Sequence, residues 1–401
     1  MATVVMKFGG TSVGDTDKIV NIAKRIKEKK NHGDNIVVVV SAMGKTTNNL
    51  IELSKEITDK PDKRDLDMLM ATGEQISISL MSMALKQLGL DSISLTGIQA
   101  GIVTTNDHTR AKINNINPEN IVNHLDEDKV VVIAGFQGGS DDGSITTLGR
   151  GGSDTSAVAL AASLGGSCEI YTDVNGIYGV DPRIVPSAKK LDYISYDEMM
   201  ELASRGARVM ETRAVELGQK YNVEILVANS HNTEAGTIIK EMEDNMETRV
   251  ITGVTTLKDC LMVSVRNLPF EASHVADLFN QLSVRKISID MISQTAPHNN
   301  LVDVSFTTTK EYTEDIIDLL ENLKQELGNI EFYLNPNLAK LSVVGIGMIS
   351  QHGVASDIFE LLSTNGIVYY QVTTSEISIS YTIKEQDVAK ATKILAEHFE
   401  L

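Results

Sequence analysis

Short runs that are apolar on both faces alternate with longer amphipathic stretches through residues 1–245. Val4–Phe8, Ile36–Val40, Ser92–Leu95, Val130–Ala134, Glu169–Thr172 and Glu224–Val227 read as strands. The unbroken β-branched runs at 36–40 and 130–134 suit strands covered on both sides. Asp17–Lys30 reads as a helix with Ile19, Ile22, Ala23 and Ile26 on one face. Asp65–Leu88 is a long helix ended by Gly89, and Ser153–Leu164 and Ala207–Tyr221 are further helices. This order predicts an α/β three-layer sandwich around a mostly parallel sheet. Anion sites in such folds lie at the carboxyl ends of the strands.

Glu241–Thr248 is polar and acidic and marks a boundary. Beyond it the pattern becomes βαββα and occurs twice. Val275–Ser283 aligns with Ala355–Ser363 at an offset of about 80 residues, too long for a solenoid repeat. In that register Asp277, Phe279, Leu282 and Ile287 match Asp357, Phe359, Leu362 and Ile367. Two copies of one small α+β domain are expected, each a sheet covered by two helices. The second copy ends on the helix Gln386–Phe399 without a closing strand, while an extra strand, Ile251–Thr256, precedes the first. That orphan strand is expected to complete one of the two small sheets, so that the copies interlock.

Composition narrows the class. At 401 residues two or three domains are expected. No apolar run approaches the ~18 residues of a membrane helix, and no membrane partner is expected. The chain runs into a strand from its first residues, so no secretory leader is expected. Cys168 and Cys260 stand in apolar stretches and read as core thiols of a cytoplasmic protein. The net charge of −18 argues against nucleic acid as a partner. An acidic chain that binds anions must concentrate its cations locally, which directs attention to Lys7, Arg150, Arg183 and Arg208.

Two glycine-rich turns each lie between a predicted strand and a predicted helix: Lys7-Phe8-Gly9-Gly10-Thr11-Ser12 and Thr147-Leu148-Gly149-Arg150-Gly151-Gly152-Ser153-Asp154-Thr155. Small residues at a helix start leave amides open to an anion. Lys7 at a strand end can reach a phosphoryl group, or it is a solvated lysine beside a tight turn. Neither a P-loop nor a dinucleotide fingerprint fits: Val39 stands where a P-loop ending in Gly44-Lys45-Thr46 needs its first glycine, and Gly9, Gly10 and Gly14 are wrongly spaced. Ser41, Thr46 and Thr47 line the same cleft or cap a helix. Glu74 sits in an apolar helix and either meets a substrate ammonium or stands exposed. Arg150 suits a bidentate carboxylate contact, aided by Ser153 and the amides of Gly151 and Gly152. Asp154 belongs to that site or only complements the helix dipole. In Thr172–Arg183, Tyr178 can pack on a base and Arg183 can meet a phosphate; the alternative is a surface hairpin.

Taken in order, Lys-Phe-Gly-Gly-Thr-Ser-Val (7–13), Gly-Arg-Gly-Gly-Ser-Asp-Thr (149–155) and Thr-Asp-Val-x-Gly-Ile-Tyr…Asp-Pro-Arg (172–183) resemble the aspartate kinases of the amino acid kinase family. The paired repeats resemble that family's two regulatory ACT domains. The resemblance covers essentially the whole chain. It implies an amino acid kinase catalytic domain at 1–245 and ferredoxin-like ACT domains at 250–334 and 338–401. It implies that ATP, with Mg²⁺, is held by Lys7, Phe8, Gly9, Gly10, Ser41, Thr172, Asp173, Tyr178, Arg183 and Arg208. Aspartate would meet Thr47, Glu74, Arg150, Gly151, Gly152 and Ser153. Catalytic roles fall to Lys7 on the γ-phosphoryl group, to Asp154 orienting the cations, and to Arg208. Gly206-Ala207-Arg208 stands where many relatives have Gly-Ala-Lys, and arginine keeps the charge without the compact ammonium.

The implied reaction is phosphorylation of the β-carboxylate of L-aspartate, the first step toward lysine, threonine and methionine. The attacking carboxylate, with an ordinary pKa near ~4, is ionised at neutral pH and needs no general base. The resemblance further implies a homo-oligomer formed through the ACT domains. It also implies feedback by lysine and/or threonine bound near Met348, Ser350, Gly353, Val354, Ser375 and Glu376 in the second copy, and Asp290, Met291 and Gln294 in the first. The rivals are a kinase of another amino-acid carboxylate and an amino-acid sensor without catalysis. The 172–183 segment counts against the first, and intact Lys7, Arg150 and Asp154 count against the second.

Overall fold

A computed structural model describes residues 2–207, 209–242 and 249–401. Arg208 and the predicted boundary at 243–248 lie outside the described residues. Two compact units divide the chain. The first comprises 1–177, 190–204 and 208–246; the second comprises 178–189, 205–207 and 247–401.

In chain order the first unit carries β1 (Thr3–Phe8), α1 (Thr16–Lys30), β2 (Asn35–Val40), α2 (Thr46–Ile57), α3 (Lys63–Gln87), β3 (Ser92–Leu95), β4 (Ile102–Thr104) and β5 (Ile113–Ile116). It continues with α4 (Glu119–Asp126), β6 (Val130–Ala134), β7 (Gln137–Ser140), β8 (Ile145–Thr147), α5 (Gly152–Leu164), β9 (Ser167–Thr172) and β10 (Tyr193–Ser195). It closes with α6 (Tyr196–Ser204), α7 (Thr212–Tyr221), β11 (Ile225–Asn229) and β12 (Thr237–Lys240). Eight strands form one sheet in the order β10-β12-β11-β9-β1-β2-β6-β3, parallel except between β11 and β12. Helices α1 and α3 pack on one face, where Met6, Phe8, Val38, Val132, Ile22 and Met81 form the core. Helix α5 lies against β1 and β9, and α7 packs on α5. The expected three-layer sandwich is present.

Register aligns the strand ends: Phe8 pairs with Val40 and Tyr171, and Val40 pairs with Ala134. The turns that follow are tied across the top of the sheet. The Gly9 amide donates to Tyr171 O at 3.3 Å, that of Ser41 to Phe8 O at 3.1 Å, and that of Gly135 to Val40 O at 3.1 Å. One expected helix is shorter than its pattern. Residues 209–211 are not helical, and α7 begins at Thr212 behind an extended Glu211. The four-stranded sheet β5-β4-β7-β8 was not expected, because segments such as Ile113–Ile116 (INNI) and Gln137–Ser140 (QGGS) lack apolar alternation.

The second unit carries β13 (Gly253–Pro269), α8 (Ala272–Val284), β14 (Ile292–Gln294), β15 (Leu301–Thr308), α9 (Thr313–Leu327), β16 (Glu331–Val344), α10 (Val354–Thr364), β17 (Tyr369–Thr374), β18 (Ser378–Lys384) and α11 (Val388–His398). Its strands are hydrogen-bonded in the order β14-β15-β13-β16-β18-β17. β13 and β16 are long, and each serves both copies. Residues 262–266 of β13 pair with 331–335 of β16 in the first copy, while 253–257 pair with 340–344 in the second. The orphan strand therefore completes the second sheet, and the copies interlock as expected. Separate cores lie under each half: Val263, Phe306 and Leu319 in the first, Leu341, Tyr381 and Leu395 in the second.

Candidate active site

Strand alternation decides where Lys7 points. Met6 and Phe8 face α1 and α3, so Lys7 faces α5 on the opposite side of the sheet. There its Nζ lies 2.5 Å from Asp154 Oδ1, with both side chains almost wholly buried. The ion pair joins the two glycine-rich turns. Phe8 itself is a core residue, fully buried and stacked on Tyr171 at 4.9 Å, so only its backbone faces the turn.

The Lys7 turn approaches its neighbours closely. A Cβ on Gly10 would stand 2.8 Å from Ala42 O, and the amide of Gly44 donates to Gly10 O at 2.9 Å. A Cβ on Gly9 would stand 3.6 Å from Lys7 Nζ, in the space a phosphate needs to reach that ammonium. Both features fit a polyphosphate cradle. Opposite, Gly151 caps α5 in the left-handed region at φ 65° and offers no side chain to the first amides of the helix. Gly152, Ser153 and Asp154 are buried, whereas Arg150 is exposed and forms no hydrogen bond or ion pair among the described residues.

Glu74 lies on α3 and is 2% exposed. Its Oε1 accepts from the Ala42 amide at 2.9 Å, while Oε2 is buried without a hydrogen-bond partner. Burial pushes the carboxyl up to about 7 against the opposing effect of the Ala42 amide. The exposed-glutamate alternative is thus excluded, and Oε2 is a buried oxygen without a partner. Thr47 is half-buried in the first turn of α2, and Ser41 is half-buried in the adjacent turn.

The remaining nucleotide candidates divide. Thr172 ends β9 in the first unit, its hydroxyl donating to Asp173 Oδ1 at 2.9 Å, with Asp173 exposed. Tyr178 and Arg183 belong to the second unit, where the Arg183 guanidinium grips Asp181 through Nε at 3.0 Å and Nη2 at 2.8 Å. Arg208 lies outside the described residues.

Sequence reasoning passed over Glu211, Arg213, Asp67 and His108. A Cβ on Gly151 would stand 2.6 Å from Glu211 Cβ, and burial, then the charge of Asp154, holds the Glu211 carboxyl above its ordinary value. Arg213 donates to Leu148 O and Ala111 O, both at 3.0 Å. Asp67 was detectable: it precedes Glu74 by two helical turns on the same apolar face.

Among the effector candidates, Gly353 caps α10, Val354 is buried, Met348 is half-buried, and Ser350 and Glu376 are exposed. Ser375 closes the β17–β18 turn, its amide donating to Ser378 O at 2.8 Å. The Gly345 amide donates to Ile377 O at 3.0 Å, bringing that turn beside the segment leading to Met348. In the first copy Met291 is buried and Gln294 is exposed on β14. The Asp290 carboxylate is already engaged by Arg205 at 3.1 Å and by buried Lys340. Among the described residues no helix is long and apolar enough to cross a membrane. Both cysteines are buried free thiols.

The amino acid kinase family model matches residues 2–229, and an ACT domain model matches 341–399. An aspartokinase of Bacillus sp. strain MGA3 is 47% identical over 405 residues, covering 100% of this chain and 98% of its own. The chain belongs to the aspartokinase family. A crystal structure of aspartate kinase from Synechocystis matches with 37% identity and a TM-score of 0.56, covering 100% of this chain and 69% of that one. E. coli aspartokinase III, crystallised with aspartate and ADP, matches in fold with a TM-score of 0.82 and 23% identity, covering 98% and 99%. As a member of the aspartokinase family the protein is an enzyme, with the catalytic sheet and ACT repeats of that family.

Proposed function

We propose that this enzyme transfers the γ-phosphoryl group of ATP to the β-carboxylate of L-aspartate, giving 4-phospho-L-aspartate. The observation that carries the reading is the buried, unpartnered Glu74 Oε2 in the same unit as the Lys7–Asp154 pair and the open-ended helix α5. An amino-acid substrate needs an anionic site for its ammonium and a cationic site for its α-carboxylate; Glu74 and Arg150 supply those charges. The β-carboxylate is then the remaining nucleophile, ionised at neutral pH.

Lys7 and the amides around Gly9 and Gly10 hold the polyphosphate, and Thr172, Asp173, Tyr178 and Arg183 serve the nucleoside. Lys7 faces the charge that develops on the transferred group, with Asp154 fixing its direction. Arg208 adds a second cation. Mg²⁺ bound with the nucleotide would supply charge neutralisation on the phosphates that Lys7 and the Gly9–Gly10 amides hold. Thr47, Gly151, Gly152 and Ser153 complete the aspartate site. Alignment and neutralisation account for the rate without a general base.

We assign the ACT unit to feedback by lysine and/or threonine and to self-association, in a cytoplasmic enzyme. The α10 cap at Gly353, beside Met348, Ser350, Val354, Ser375 and Glu376, supports the effector site in the second copy. In the first copy a ligand ammonium must displace Arg205 or Lys340 from Asp290. A coupled ADP assay with aspartate, glutamate and N-acetylglutamate tests the substrate, and titrations of lysine and threonine, singly and together, test the effectors. ADP release that ignores aspartate, or that prefers another acid, overturns the substrate assignment. Unchanged rates at saturating lysine and threonine overturn the regulatory one.

A further inference from the structure

We propose that Asp67 is a positioning residue for recognition of the amino-acid carboxylate, acting through the turn that carries Arg150. The proposal rests on the reading of Arg150 and Glu74 as the residues that hold aspartate. Asp67 lies on α3 and is 0% exposed. Its Oδ1 accepts from Thr147 Oγ1 at 2.5 Å. The Thr109 amide donates to both oxygens, at 3.1 and 2.9 Å, and His108 Nδ1 lies 2.8 Å from Oδ2. With its hydrogen on Nδ1, His108 donates to that carboxylate as well. Three donors from two chain segments therefore converge on one buried group.

Those segments lead directly to Arg150. Thr147 ends β8 three residues before it. The Ala111 amide donates to Thr147 O at 2.9 Å, and Arg213 bridges the carbonyls of Leu148 and Ala111. Because Arg150 has no hydrogen bond or ion pair of its own among the described residues, its placement is inherited from 147–149. Helix α3 supplies the other half of the arrangement. Glu74 follows Asp67 by seven residues, about 10 Å along the same face of one helix. A single rigid rod thus presents the acid that meets the ammonium and anchors the turn that meets the carboxylate. The separation of the two sites is built into α3.

Asp67→Asn keeps the shape and turns one acceptor into a donor facing other donors. Thr147→Val removes one donor and leaves the carboxylate intact. For Asp67→Asn the aspartate KM should rise about tenfold or more, while Mg-ADP affinity measured by calorimetry stays within about twofold of wild type. Thr147→Val should raise the aspartate KM about threefold with the same split. Combined with Arg150→Ala, either change should lower kcat/KM for aspartate by less than about twofold further, because the anchored group is already gone. A residue that only stabilises the fold would weaken nucleotide binding as well and would multiply with Arg150→Ala. If Asp67→Asn does not fold, the Thr147→Val cycle decides alone. Unmoved aspartate KM values, parallel losses of nucleotide affinity, or multiplicative double mutants overturn the role of Asp67 while leaving the aspartate kinase reading intact. A wild-type enzyme that releases no ADP with aspartate overturns both.

Discussion

If Glu74 meets the substrate ammonium as proposed, aspartate binding should release a proton. With its carboxyl pushed up to about 7, roughly three-quarters of the free enzyme carries Glu74 protonated at about pH 6.5. An ammonium placed beside the unpartnered Oε2 favours the charged form, so binding expels about 0.7 proton at that pH. Below the raised pKa each unit of acidification weakens aspartate binding about tenfold; above it the dependence flattens. Calorimetric titration of aspartate in two buffers of different ionisation heat counts the protons. Glu74→Gln retains the acceptor for the Ala42 amide and cannot titrate, so its count should fall by about 0.7. Its aspartate affinity should drop about 10- to 100-fold, the worth of one hydrogen bond to a charged group. Equal proton counts in the two proteins would refute the placement of the ammonium at Glu74.

The same pKa acts on stability. Glu74's contribution is fully present below the ordinary glutamate value of 4.5 and is lost as pH rises through about 7, a span of about 3 kcal/mol that Glu74→Gln should remove from unfolding curves. Lys7→Ala should lower kcat on the order of 10²- to 10³-fold and leave the aspartate KM within a few-fold, in steady-state assays. Gly10→Ala places a methyl 2.8 Å from Ala42 O, and should cost about 1–3 kcal/mol in Tm measurements and weaken nucleotide binding. Lys340→Met and Asp290→Asn should show about 1–3 kcal/mol of coupling in a double-mutant cycle, since buried Lys340 pairs with Asp290.

The strands and helices around the site were legible because their signals are local. Unbroken β-branched runs marked β2 and β6, and capped amphipathic runs marked α1 and α3. The glycine turns were legible as tight turns at helix starts for the same reason. What could not be read is partnership across distance. Nothing near Phe8 in sequence announces that its ring stacks on Tyr171, or that Asp290 is held by Arg205 and Lys340. The sheet β5-β4-β7-β8 escaped because its strands are only three or four residues long and two of them, INNI and QGGS, lack apolar alternation. Glu211 was placed inside a helix because its neighbours continue the helical period; its extended backbone places it before that helix instead.

The two shared strands have a consequence for inheritance. β13 and β16 each leave one ACT copy and finish in the other, so any cut between residues 257 and 340 parts the 253–257 strand from its 340–344 partner and leaves the second sheet incomplete. A recombination joint or truncation inside that span strands half a ladder with unpaired edges. The second copy can therefore be gained, lost or exchanged between enzymes only together with the strand that precedes the first, so the copies are not interchangeable beads.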